Sequence, residues 1–309
     1  MTDFTTPLLK IGVDGGGTKT ELILVDAAGA IVARHAVAGC NPSQVGPEKA
    51  REILLAGLKE LLALSPLASR PSPVTATHLY MAGATAFWQE LAATLDGFGR
   101  VVAAADSLPV LELATGGAPG LVLHAGTGSF VAARAPDGSV HYAGGLGWKL
   151  GDAGSGFDLG RRGIALAMLE LQGWAPPSDL GAKLKAHTGL ADAAANSRYF
   201  YTDPAANARI TAFAPLVIDL AAHGCAPAQV AVTETLTELV GQARLVTAKL
   251  FPAMTVPCGV SGAILNRAPA VSAIQALAAN PPWPVTLNFI TAAPIEGVRR
   301  LLAKAKPAT

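Results

Sequence analysis

The sequence predicts an α/β protein made of two duplicated halves, and three observations carry that expectation. An apolar run, Leu8–Val13, meets three consecutive glycines and is followed at once by a second strand-like run, Thr20–Val25. The same order returns as Gly120–Ala125, a Gly126-Thr127-Gly128-Ser129 turn, and Phe130–Arg134. Elsewhere, short runs of strand character alternate with longer runs of helical period, the pattern of sheets covered by helices.

In the first half, the turn Asp26–Gly29 separates the second strand from a third, Ile31–Ala38. Pro47 to Ala63 predicts a helix, since Ile53, Leu54, Leu58, Leu61 and Leu62 recur at helical spacing and Pro66 stops it. Ser65–Pro73 reads as a loop, His78–Ala82 as a strand, Thr85–Leu95 as a helix and Val101–Ala105 as a strand. A helix then runs to about Ala114, with Asp106 or Ser107 near its N-cap and Pro109 in its first turn.

The second half repeats the hairpin and adds a third strand from Val140, after the Asp137-Gly138 turn. A Gly-rich insertion follows Gly144, and the chain then turns mostly helical: about Gly156–Leu171, Ser178–His187, Ile210–His223 and Pro227–Leu250. Val256–Val260 and Val285–Ile290 read as strands, Pro269–Ala278 and Pro294–Lys304 as helices, the last strongly amphipathic.

Composition narrows the class. A chain of 309 residues, 51% hydrophobic and 15% charged, has material for two domains with substantial cores. A net charge of +1 without a Lys/Arg block argues against nucleic acid or an anionic membrane as the main partner. Cys40, Cys225 and Cys258 are scattered, which indicates neither a disulfide framework nor a zinc site. The N-terminus lacks a basic leader, and no apolar stretch reaches ~18 residues, so a cytoplasmic protein is expected.

The first hairpin has the chemistry of a nucleotide-phosphate device. Gly15, Gly16 and Gly17 let backbone N–H groups approach phosphate oxygens with no Cβ in the way. Thr18 adds a hydroxyl, Lys19 a cation, and Asp14 a carboxylate suited to the hydrated Mg2+ that accompanies ATP. No Walker sequence is present, since no Gly-Lys-Ser/Thr closes the loop. A glycine-rich turn chosen only for its geometry is the plain alternative, but a tight hairpin needs fewer glycines and no flanking acid. Asp106 follows an apolar strand, so it stands where open α/β sheets place their chemistry, and also where a helix N-cap would stand.

Two such hairpins in duplicated halves, with a carboxylate after a strand, resemble the actin/hexokinase/heat-shock chaperone ATPase fold across nearly the whole chain. Asp14–Thr18, Asp106, Gly126–Ser129 and the run Gly144–Gly156 look most like the N-acetylglucosamine kinase-like and glucosamine kinase group, which includes the BadF/BadG/BcrA/BcrD ATPases. The resemblance implies two ribonuclease-H-like lobes with an active-site cleft between them. Residues 1–114 would form the N-terminal lobe, joined by a helix at 294–309, and residues 115–293 the C-terminal lobe. It implies an ATP-dependent kinase of an amino sugar or, as the alternative, of another hexose, using Mg2+, working as a homodimer, with Asp106 as general base. Gly126, Thr127, Gly128 and Ser129 become the second phosphate hairpin. Asn41, Gly145, Asp152 and Gly156 become sugar contacts, and Gly259 and Gly262 contacts to the adenosine. His124 occupies the place of Asp14 in the second hairpin and reads as a structural strand residue. Trp148 would either stack on the sugar or fill core.

One departure and two rivals remain. The family's Gly-Asp-Glu-Gly-Ser is here Gly151-Asp152-Ala153-Gly154-Ser155, which bears on the choice of sugar. An ATPase activating a radical dehydratase would need cysteines placed to bridge an iron–sulfur cluster, and Cys225 and Cys258 lie far apart with no cysteine between Gly126 and Asp158. A sugar-sensing regulator would be expected to lose Asp106 or a phosphate glycine and to carry a DNA-binding segment before the first hairpin. Neither mark is expected here.

Overall fold

The computed structural model describes residues 8–65 and 74–305, so the expected loop lies outside the described residues after Ser65. The chain divides into two compact units: Met1–Gly116 with Ala292–Thr309, and Gly117–Thr291.

The first unit contains β1 (Leu9–Gly15), β2 (Lys19–Val25), β3 (Ile31–Ala38), α1 (Pro42–Val45), α2 (Pro47–Ala63), β4 (Val74–Met81), α3 (Thr85–Ala92), β5 (Arg100–Ala105) and α4 (Ser107–Thr115). Its sheet runs in the order β3-β2-β1-β4-β5. β1 pairs antiparallel with β2 and parallel with β4. Strand alternation sorts the side chains between two layers. Ile11, Val13, Leu22 and Leu24 face Leu54, Leu58, Leu61 and Trp88 in one buried cluster.

The second unit contains β6 (Gly120–Ala125), β7 (Ser129–Arg134), β8 (Val140–Gly144), α5 (Gly156–Leu171), α6 (Asp179–Thr188), α7 (Ala193–Thr202), α8 (Ala206–Ala222), α9 (Ala226–Leu250), β9 (Val256–Ser261), α10 (Ala268–Ala279) and β10 (Val285–Ile290). The sheet order β10-β9-β6-β7-β8 is the first sheet's order with each strand replaced by its repeat. β6 pairs antiparallel with β7 and parallel with β9, as β1 does with β2 and β4. The duplication is therefore a property of topology and strand direction. One layer, with Leu121, Leu123 and Val131, packs on Leu159, Phe213, Val217 and Leu239 of the helices. α5 and α8 approach closely at Gly160, where a Cβ would come within 1.9 Å of the Ile210 carbonyl oxygen.

The chain then returns to the first unit as α11 (Pro294–Lys304). Its apolar stripe, Ile295, Val298 and Leu302, covers Ile23, Val25 and Tyr80 on the sheet face away from α2. Lys304 fixes the end of α11 on the buried Glu112, with Nζ 2.5 Å from its carboxylate. Among the described residues no single helix is long and apolar enough to cross a membrane; α8 and α9 pass such a test only as a pair bent by 116°.

Several boundaries differ from expectation. β4 starts at Val74 rather than His78, because the Thr- and Ala-rich stretch before His78 pairs in parallel with β1. α1 is a single turn opened by Asn41, and it did not stand out from the sequence. α7 also escaped, since it buries only Asn196 and so has no apolar period to read. α8 begins at Ala206 rather than Ile210 and tolerates Pro215 in its interior.

Candidate active site

In the first unit the glycine tip is held shut from below. Gly16 N–H donates to the Lys19 carbonyl at 2.9 Å, closing the turn. The segment after β3 folds back onto that tip: Gly39 N–H reaches the Thr18 carbonyl at 3.1 Å, and Cys40 N–H the Gly16 carbonyl at 3.2 Å. Asn41 follows directly. Its Oδ1 accepts from Ser43 N–H at 3.0 Å, so its carbonyl oxygen serves the turn that opens α1 and its amide N–H2 is the group left to donate to a ligand. Lys19 pairs with Glu21 at 3.0 Å on an exposed strand position.

Two carboxylates dominate the electrostatics of this unit. Burial pushes the Asp14 pKa from 3.8 up to about 7, and the negative charges of Asp106 and Glu21 add to the rise against the opposing pull of Lys19. Asp106 stands at the N-cap of α4, immediately after β5, and makes no side-chain cap hydrogen bond. Burial raises its pKa from 3.8 to about 6, although the backbone N–H groups of Asp106 and Ser107 favour the charged form. The carboxylate thus interacts with the backbone N–H at the very start of α4 but does not make the bond further into the first turn that defines a side-chain cap.

The second unit has a corresponding arrangement. Gly126 N–H donates to the Gly128 carbonyl at 2.9 Å, closing the tip. The Gly-rich insertion folds onto this hairpin, as Gly39–Asn41 folds onto the first. Gly156 N–H donates to the Gly126 carbonyl at 2.8 Å, and the Ser129 hydroxyl to the Ala153 carbonyl at 2.6 Å. Asp152 is almost fully buried with φ at 64°, a conformation few non-glycine residues adopt. Its carboxylate accepts from Gly147 N–H at 3.2 Å and from Ser129 N–H. Burial holds its pKa above the usual carboxylate value, the two N–H groups pull it down, and Asp158 pushes it up again. Ser155, not Asp152, caps α5, its side chain accepting from Asp158 N–H.

Thr235 on α9 ties this loop to a charged network. Its hydroxyl accepts from Gly154 N–H at 2.7 Å and donates to Asp158 at 2.5 Å. Asp158 also pairs with Arg161 and Arg162 at 2.7 and 2.9 Å, and Arg162 reaches Glu234 and Glu238. Burial alone would raise the Asp158 pKa, but Thr235, Arg162 and Arg161 outweigh it and hold it below the usual range. Thr235→Val keeps the volume but leaves a buried N–H without its acceptor, a cost of ~1–3 kcal/mol. A clear drop in Tm is expected by calorimetry; an unchanged Tm means that Gly154 N–H finds another acceptor.

The remaining candidates sort as follows. Gly145 packs over Phe130, where a Cβ would lie 3.2 Å from the Phe130 Cβ. The N–H of Gly156 is engaged with the Gly126 carbonyl. Gly259 sits inside β9, paired with Val122 on one side and Asn288 on the other. Gly262 lies at the end of that strand with φ at 104°, its backbone so near β6 that a Cβ would meet the Ala125 carbonyl oxygen at 2.1 Å. Trp148 is half exposed and leans on Phe157, with ring centroids 5.2 Å apart. A cavity of about 650 Å3 lined by Leu166, Glu170, Pro177, Ser178 and Cys225 contains none of the predicted residues.

Each unit thus carries a Gly-rich hairpin clasped by the segment that follows its third strand, and the first adds two carboxylates held near neutrality. This is the two-lobed α/β fold of the actin/hexokinase/heat-shock chaperone ATPase type. The chain belongs to the BadF/BadG/BcrA/BcrD ATPase family, whose pattern matches residues 11–297. It is 25% identical over 163 residues to an N-acetylmuramic acid/N-acetylglucosamine kinase of Clostridium acetobutylicum, covering 51% of this chain and 53% of that one. It is 29% identical over 162 residues to an N-acetyl-D-glucosamine kinase of Dictyostelium discoideum, covering 48% of this chain and 51% of that one. The chain spans about half the length of these curated relatives. A structural-genomics target from Chromobacterium violaceum assigned as an N-acetylglucosamine kinase superposes with a TM-score of 0.77 at 25% identity, covering 96% of this chain and 99% of that one.

Proposed function

We propose that this protein transfers the γ-phosphoryl group of ATP to a hydroxyl of an amino sugar, N-acetylglucosamine or glucosamine. The observation that carries the reading is Asp106: a carboxylate directly after β5 that makes no side-chain cap bond and has a pKa raised to about 6. Such a group is ionised at neutral pH yet basic enough to take a proton from a hydroxyl that is losing it to bond formation. In this mechanism the Asp106 carboxylate accepts the sugar's hydroxyl proton, the hydroxyl oxygen bonds to Pγ, and the bond from Pγ to the bridging oxygen breaks to release ADP. The backbone of Gly15–Thr18 and of Gly126–Ser129 carries the phosphates, with Gly262 on the adenosine side. Gly259, inside its strand, would act through the backbone shape of β9.

Mg2+ fits the donors present. Among the described residues no group of three or more acidic, His or Cys side chains could enclose a metal, but Asp14 offers one buried oxygen ligand. That suits a cation that arrives on the nucleotide and keeps most of its waters. When bound, it would neutralise phosphate charge, and Asp14 would orient it.

The family also lends its name to activating ATPases, whose clusters need accessible thiolates. Cys258 is fully buried within β9, and burial drives its pKa far above the ordinary thiol value. That favours the kinase reading. A coupled ADP-release assay across glucosamine, N-acetylglucosamine and glucose tests it; failure of all amino sugars to stimulate ADP release would overturn it.

The sugar side carries its own expected result. Asn41→Ala and Asp152→Ala should raise the sugar KM about ten- to hundredfold and leave the ATP KM nearly unchanged. Because Asp152 also holds Gly147 and Ser129, Tm is measured on the same variants. A lower Tm with an unchanged sugar KM would make Asp152 a loop brace alone.

A further inference from the structure

His124 stands at the same place in β6 that Asp14 holds in β1. Asp14 precedes Gly15, which pairs with Thr20 across the first hairpin; His124 precedes Ala125, which pairs with Ser129 across the second. The side chain lies on the sheet face away from Leu123, Ala125 and the helical core. Two contacts fix the ring there: it stacks on Phe130 with centroids 5.1 Å apart, and its Nδ1 is 3.3 Å from the Ser261 hydroxyl. Its Nε2 faces the glycine tip, 4.0 Å from the place a Cβ on Gly126 would take.

These contacts leave one polar atom unaccounted for. Nδ1 has Ser261, the faces have Phe130, and Nε2 has no hydrogen-bond partner among the described residues while it points at the glycine opening the hairpin tip. Burial lowers the imidazole pKa from 6.5 to about 4, so the ring is neutral at physiological pH and carries one N–H. The Nδ1–Ser261 pair can form in either direction; in the tautomer where the Ser261 hydroxyl donates to Nδ1, the ring N–H is on Nε2. The ring is half-buried and Nε2 is not among the buried polar atoms, so this nitrogen is open to a ligand while the ring faces are packed, a combination that a phenyl group of the same shape would not offer.

Resting on the kinase reading above, we propose that His124 is a nucleotide-contacting residue, its Nε2–H donating to a phosphate oxygen of ATP or ADP at the second hairpin. The two halves would then use one strand position for two tasks, a carboxylate for the cation in the first and a neutral donor for the phosphate in the second. Ser261, just before Gly262, would hold the ring in the donating tautomer and so join the phosphate hairpin to the adenosine segment.

The test uses three variants and two readouts, ADP binding by calorimetry and KM for ATP and sugar. His124→Phe keeps the stack and removes both nitrogens; ADP affinity should fall about tenfold, with the ATP KM rising alike and the sugar KM unchanged. His124→Gln places an amide N–H2 near the former Nε2 and should recover most of that loss. His124→Asn places its amide near Nδ1 and should not. Wild-type nucleotide parameters in His124→Phe, or equal losses in all three variants with a lowered Tm, would overturn the proposal and make His124 a structural residue. Failure of the wild-type protein to bind ADP would overturn the kinase reading and this inference with it.

Discussion

Asp106→Asn is expected to lower turnover by about 10²-fold or more while leaving the affinities for ATP and sugar close to wild type. The substitution preserves shape and one acceptor oxygen and removes the basicity. Asp106 makes no cap hydrogen bond, so the start of α4 should survive the change. With Mg-ATP saturating, so that the bound cation keeps Asp14 ionised, the wild-type rate should also show a rising limb with an apparent pKa of about 6, the value that burial gives the Asp106 carboxyl, and that limb should vanish from whatever activity the variant retains. Turnover near wild type, or an unchanged limb, would reduce Asp106 to the residue that opens α4.

Much of this site was legible because glycine and strand period leave strong marks in a sequence. β3, α2, β6, α5, β10 and α11 occupy the expected residues, since each is bounded by Gly, Pro, Asp or Asn and has one apolar period. The repeated hairpin was legible for the same reason, and the matching sheet orders show it to be one half of a full duplication. What stayed hidden depends on contacts distant in sequence. Nothing in Thr235 announces that it holds Gly154 N–H, 81 residues away. The bond from Gly156 to Gly126 likewise exists only once the Gly-rich insertion has folded back onto the hairpin tip, 30 residues earlier in the chain. His124 is the instructive case: its strand position and its symmetry with Asp14 were visible, but the partner at Nδ1 and the direction of Nε2 were not. α7 shows the opposite limit, a helix made by capping at Asp192 and by neighbours rather than by its own pattern.

The largest combined effect is expected at Asp14, where function and stability should move in opposite directions. Its carboxyl has a pKa of about 7 in the folded protein against 3.8 unfolded. The folded state therefore holds this proton more tightly. The stability it contributes is complete below about pH 4 and is lost as pH rises through about 7. At about 1.4 kcal/mol per pKa unit, the ionised group withdraws a few kcal/mol from the nucleotide-free protein at pH 8. Asp14→Asn removes that charge beside Asp106 and Glu21, so Tm at pH 8 should rise by several degrees and change little near pH 4. The same variant should lose at least ~10²-fold in turnover, because the oxygen ligand for the nucleotide's cation is weakened. Such a trade is what a buried carboxylate retained for a ligand predicts, since an Asp kept for folding would not be one that folding disfavours. Melting curves of both proteins at pH 4 and pH 8, with ADP-release rates at pH 8, decide the matter. A lower Tm for Asp14→Asn at both pH values would show that the carboxylate serves the strand, and unimpaired turnover would remove Asp14 from the site.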